Sequence, residues 1–155
     1  MLILVFFLAG CGYTSRSLLE QNVHSVYVPI FDNATFRRGL EFELTKAIKE
    51  EILFKTRLKI EDKERADTIL EGIITDINEH VLIENPDADV VESSVTVFVR
   101  FSWVDQRTGR ALIEGEDVSA AAEFIARRNE DVKAGEVEAF VDVAEKIINL
   151  MEEKW

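Results

Sequence analysis

Cysteine, histidine and proline are scarce: one, two and two respectively in 155 residues. A single thiol can make neither an internal disulfide nor a thiolate metal cluster. The histidines, His24 and His80, lie far apart with no metal-ligand spacing between them. No Gly-x-Ser-x-Gly elbow, Walker loop or Gly-x-Gly-x-x-Gly is present, so no recognised catalytic or phosphate-binding motif raises an enzyme above background. Asp87-x-Asp89 looks like the start of a calcium loop, but the glycine and distal ligand are missing, and a solvated turn is expected. No catalytic residue, cofactor or metal is therefore expected. Basic residues are also outnumbered, 18 against 30 acids, for a net charge of -12. Such a field repels phosphate backbones, and adjacent bases form nothing longer than the doublets Arg37-Arg38 and Arg127-Arg128. Nucleic acid is not an expected partner.

Long hydrophobic runs are lacking too. The one apolar run, Leu2 to Leu8, is too short to cross a bilayer and has the length of a signal h-region. It is followed by Leu8-Ala9-Gly10-Cys11. This pattern resembles the lipobox of bacterial lipoproteins, whose cysteine is acylated and becomes the first mature residue. Residues 1–10 are expected to be removed and Cys11 to carry the lipid. No Lys or Arg precedes the run and ten residues is short for a signal, which points to an upstream start codon; sequencing the precursor tests it. Gly12 follows the cysteine, with no Asp to retain the protein at the inner membrane, so the outer membrane, periplasmic side, is expected. A triacylated cysteine anchors without help from the protein, so no membrane-binding surface is expected on the domain. Gly12 to Asn22, small and polar apart from Leu18-Leu19, reads as a tether, and residues 23–155 as one domain.

Ser25 to Phe31 is β-branched and aromatic, apolar on both faces, and reads as a covered strand with Pro29 at an edge or end. Asp32, Asn33 and Thr35 can turn the chain or cap a helix. Leu40, Leu44, Ala47, Ile48 and Ile52 then recur at helical spacing to about Lys55. Arg57 to Ile60 is a short strand. Thr68 to Glu84, where Ile69, Ile73, Ile77 and Val81 suit a strand face or a helix stripe, reads as a long strand on its isoleucines, threonines and Gly72. Asn85-Pro86-Asp87 ends it. Val95 to Trp103 alternates cleanly, Asp105 to Gly109 is a hairpin turn, and the return strand decays at Ala120-Ala121-Ala122 into a polar loop near Asn129. Val137 to Met151 carries the second helical stripe. The order gives an α+β domain: two amphipathic helices packed on one face of a mainly antiparallel, roughly four-stranded sheet. Phe36, Arg37 and Arg38 are candidate partner contacts, since aromatic and arginine side chains anchor interfaces. The plainer alternative makes Phe36 a hydrophobic staple at the helix start.

The segment Val26 to Ile48 resembles the opening strand and helix of the LptE family. Leu8 to Tyr13, Ala66 to Gly72 and the Ala144 to Met151 helix extend the resemblance along nearly the whole chain. It implies an outer-membrane lipoprotein with two helices on a four-stranded sheet, seated inside the β-barrel partner LptD and assisting lipopolysaccharide insertion. Family members are credited with binding lipopolysaccharide through basic residues; this chain is acidic, so no lipid-binding residue is carried over. The same opening also resembles lipoproteins with a TolB-N-like domain, which implies a tethered periplasmic regulator of a cell-wall synthase.

Overall fold

The structure is a computed structural model that describes residues 23–84, 91–125 and 129–154; Cys11, the tether, the Asn85-Pro86-Asp87 turn with Asp89, and Arg127-Arg128 lie outside the described residues. The elements are β1 (Ser25–Tyr27), β2 (Asp32–Asn33), α1 (Leu40–Lys55), β3 (Lys59–Ile60), β4 (Thr68–Glu84), β5 (Val91–Asp105), β6 (Ala111–Ile125) and α2 (Asn129–Lys154). They form an α+β fold with two helices and one mixed sheet in the order β3-β1-β4-β5-β6, β2 also pairing with β4.

The sheet has six strands rather than about four, and the antiparallel character is confined to its long half. Pro29 divides what reads as one strand. β1 runs parallel to β4 at Val26–Thr68, and β2 resumes the same edge at Asp32–Ile73. β3 runs parallel to β1, as a strand–helix–strand unit around α1 requires. The long strands β4, β5 and β6 pair antiparallel through two hairpins.

Side-chain alternation on β5 sets the core. Val95, Val97, Val99, Phe101 and Trp103 are buried beneath the helices, with Leu44, Ile48 and Ile52 of α1 and Phe140, Val143, Ile147 and Ile148 of α2 in the same cluster. The isoleucines of β4 do not share one face. Ile69 and Ile73 pair with Val104 and Arg100 on the outer side, while Leu70 and Ile74 face the core. A bulge between Ile74 and Asp76 shifts the phase, and Ile77 then faces inward opposite Val97. His80 is exposed on the outer side, as expected.

Two expectations at the C-terminal side are overturned. The return strand does not decay at the alanines but runs on to Ile125, with Ala120 and Ala122 buried under α2. Small residues at those positions let the helix approach the sheet closely; they mark packing, not a loop. The helix likewise begins at Asn129 instead of near Val137. Gly135, a poor helix former inside α2, is explained by the sheet: a Cβ there would lie 2.6 Å from Phe124 Cδ1.

Candidate partner-binding surface

The turn between β2 and α1 is built around Asn33. Its Oδ1 accepts hydrogen bonds from the backbone N–H and hydroxyl of Thr35, and its Nδ2 donates to Arg37 O and to Glu41 Oε2. Asn33 thus turns the chain as expected, but it does so from the end of a strand and does not cap α1. The cap is Gly39, at φ 93°, whose N–H donates to Glu41 Oε2. The left-handed backbone at that position favours glycine. The Asn33 amide, first of all, holds the Glu41 carboxyl below its ordinary pKa.

Arg37 ties this turn to the rest of the molecule. Its Nη1 donates to Glu79 Oε1 on β4 at 2.6 Å, and its Nη2 to Glu136 Oε1 on α2. Glu136 is buried, and burial pushes its carboxyl pKa up against the pull of the guanidinium. Arg37 is therefore consumed in an internal clasp of strand, turn and helix. Arg38 is exposed, and its charge adds a small lowering to Glu41.

Phe36 stands at the crest of this turn with 106% relative exposure. That overturns the staple reading: a staple would bury the ring against the first turn of α1. The turn is fixed by four hydrogen bonds from or to Asn33 and by the Arg37 clasp, so the ring is presented on a stiff mount. Pre-organisation of that kind lowers the ordering cost of binding.

A second exposed apolar group lies along the outer side of α1. Ile30, Phe42 and Leu53 line a shallow cleft of about 280 Å³ together with Thr45, Lys46, Lys49 and Glu50. Phe42 and Leu53 are 57% and 66% exposed, and Phe54 beyond them is 86% exposed. Sequence reasoning singled out neither Phe42 nor Leu53 off the core stripe of α1. The clasp partners Glu79 and Glu136 were not legible either, since nothing local marks two acids 57 residues apart among thirty. The outer side of the sheet carries Ile69, Ile73, Phe98 and Val104 between polar residues, with Arg100 bonded to Asp117 through two contacts of 2.9 and 2.8 Å. Both members of this pair are exposed, so its stabilising effect is small.

Among the described residues no three His, Cys, Asp or Glu side chains are grouped to hold a metal, and no helix is long and apolar enough to cross a membrane.

A family model described as LptE: Lipopolysaccharide-assembly matches residues 23–151. A minor lipoprotein from Acinetobacter baumannii superposes with a TM-score of 0.54 at 12% identity, over 83% of this chain and 92% of that one. The rare lipoprotein B from Shewanella oneidensis gives 0.52 at 17% identity, over 82% and 94%. An uncharacterized lipoprotein B from Nitrosomonas europaea gives 0.52 at 16% identity, over 81% and 79%. At such identities the likeness is one of fold. Comparison with curated protein sequences finds no match.

Proposed function

From the premise that the chain belongs to the LptE lipopolysaccharide-assembly family, we propose that it is an outer-membrane lipoprotein that fills and positions an LptD-type β-barrel. It is held on the periplasmic side through lipid at Cys11. It performs no reaction in this role; its work is done by packing surface. The observation that carries the reading is Phe36, a fully exposed aromatic ring on a turn fixed by Asn33 and Arg37. Solvating such a ring is unfavourable, and aromatic side chains are the usual anchors of protein interfaces. Arg37 contributes by holding the mount and Arg38 by its exposed charge. The acidic total supports a protein cavity as the partner over direct capture of lipopolysaccharide, whose phosphates it repels at long range.

The test is affinity purification of the tagged, lipidated protein from detergent-solubilised membranes, followed by a high-salt wash. A stoichiometric β-barrel that survives the wash is the expected result. A cell-wall synthase in its place would transfer the chain to the regulatory role that the TolB-N-like resemblance implies.

A further inference from the structure

The sequence leads one to expect no membrane-facing surface on the domain, yet one end of the fold has the composition of such a surface. The chain enters at Val23 and is held there by hydrogen bonds that include three from backbone N–H groups. Lys59 N–H donates to His24 O, and the backbone N–H groups of His24 and Ser25 donate to Asp67 Oδ2. The C-terminal end of α1 leads through Arg57 directly into β3 beside that entry point. The β5–β6 hairpin turn reaches the same end, where Gln106 N–H donates to Asp67 O and its side chain donates to Lys63 O. Topology thus gathers the entry point, the end of α1, the 61–67 turn and the hairpin turn in one place.

The charge there departs from the rest of the molecule. Arg57, Lys59, Lys63, Arg107 and Arg110 are all exposed, and none is ion-paired with a described residue. Arg65 is spent on Glu61 and Asp62. Asp67 and Asp105 are turned inward, accepting backbone bonds from His24 and Thr108; Glu64 is the exposed acid of the 61–67 turn without an ion pair among the described residues, with Glu114 past the hairpin turn and Glu152 and Glu153 at the end of α2 further from it. In a chain of net charge -12, segments 57–67 and 106–110 together carry six Lys and Arg against four Asp and Glu. Leu53 and Phe54 project beside it, 66% and 86% exposed. Apolar side chains flanked by cations match an interface of acyl chains below phosphate headgroups.

We infer that this end rests on the anionic phospholipid leaflet that holds the acyl chains of Cys11. The inference rests on Cys11 being acylated and does not require the barrel. Eleven residues separate Cys11 from Val23, a reach of roughly 36 Å when extended. A tether that short keeps the end at high effective concentration over the leaflet, so a weak contact is enough to orient the domain. Repulsion of the remaining acidic surface adds to the orientation by pushing the far end, with Glu79 and Glu123, away from the headgroups.

The experiment uses the full lipidated chain, whose only native thiol is blocked by acylation. Lys63→Cys and, at the far end, Glu123→Cys are each labelled with an environment-sensitive fluorophore. Each is then reconstituted in vesicles of phosphatidylcholine with a fifth phosphatidylglycerol, or of phosphatidylcholine alone. The expected result is quenching by headgroup nitroxides at position 63 at least about threefold above position 123. The difference should shrink by half or more without phosphatidylglycerol, in about 0.5 M salt, or in Arg107→Glu/Arg110→Glu. Equal quenching at both positions, or stronger quenching at 123, in chains that float with vesicles would overturn the proposed orientation. A chain that does not float, with a mass showing Cys11 unmodified, would overturn the anchor and the orientation with it.

Discussion

At the scale of single residues, two carboxylates carry opposite signs of pH dependence. Asp67 accepts from His24 N–H at 2.8 Å, and from the N–H and hydroxyl of Ser25 at 3.0 Å each. The His24 bond, first of all, holds its pKa below the ordinary value of 3.8. A carboxyl with a lowered folded-state pKa stabilises the fold above its unfolded pKa, and loses that effect as pH falls through the folded one. Asp67→Ala should therefore lower stability at neutral pH, and the gap to wild type should close as pH drops below about 4; urea midpoints along a pH series measure it. Glu136 behaves in the reverse way. Burial raises its pKa, so the folded state takes up a proton before the unfolded state, and the group's unfavourable contribution fades as pH falls through that window. Arg37→Ala would leave this acid buried without its cation, at a cost of about 2 kcal/mol at neutral pH. Arg37 itself is 41% exposed, so solvent keeps the cost below that of a fully buried pair. The loss should shrink as pH falls from neutrality and the buried carboxyl takes up its proton, and Glu136→Gln, which removes the charge with little change of shape, should cost less. An Arg37→Ala protein as stable as wild type would mean that the clasp is not closed in solution.

At the scale of elements, Gly72 shows why β4 can lie where it does. A Cβ at that position would sit 2.5 Å from Phe31 Cε1 and 2.6 Å from Arg100 O. The second contact is backbone and cannot move aside without disturbing the β4–β5 ladder. Gly72→Ala should thus destabilise by about 1–3 kcal/mol through overpacking, read as a lowered thermal midpoint with loss of near-ultraviolet signal from Trp103. In the sequence this glycine helped to identify a strand, but its reason, the ring of Phe31 lying over it, depends on a partner 41 positions away. The same division holds elsewhere. The spacing of Leu40, Leu44, Ile48 and Ile52, and the alternation from Val95 to Trp103, gave α1 and β5 directly, because periodicity is local. The split at Pro29, the bulge before Asp76 and the continuation of β6 through three alanines were not legible, because each is decided by what packs or pairs across the sheet. Sequence reasoning likewise placed Phe36, Arg37 and Arg38 together without showing that the first is free and the second is engaged. The expectation at Cys11 is of a different kind: its pattern would address a processing machinery rather than the fold, and the residue lies outside the described structure.

At the scale of the whole molecule, the proposed anchor and the proposed partner contact are separable, and that makes the functional reading testable as a pair. The described fold begins at Val23, while Cys11 lies outside it. The first strand is secured by β3, β4 and Asp67, none of which needs the lipid. A Cys11→Ala chain exported behind a leader that is cleaved without acylation should unfold at the same temperature as wild type, within about a degree. It should appear in the soluble periplasmic fraction, and in detergent extracts it should still capture the barrel. Phe36→Asp should do the opposite. The ring is solvent-exposed, so replacing it leaves the stability unchanged within about 0.5 kcal/mol, and the protein stays with the membrane. A carboxylate placed at a desolvated contact is strongly disfavoured, so recovery of the barrel after the high-salt wash should drop at least about tenfold, equivalent to 1.4 kcal/mol or more. Barrel capture by Phe36→Asp at wild-type level would move the interface elsewhere, to the outer side of α1 around Phe42 and Leu53, where Phe42→Asp with Leu53→Asp becomes the deciding variant. Loss of the barrel in both Cys11→Ala and Phe36→Asp would show that the partner is met only at the membrane, and that anchor and surface act as one device.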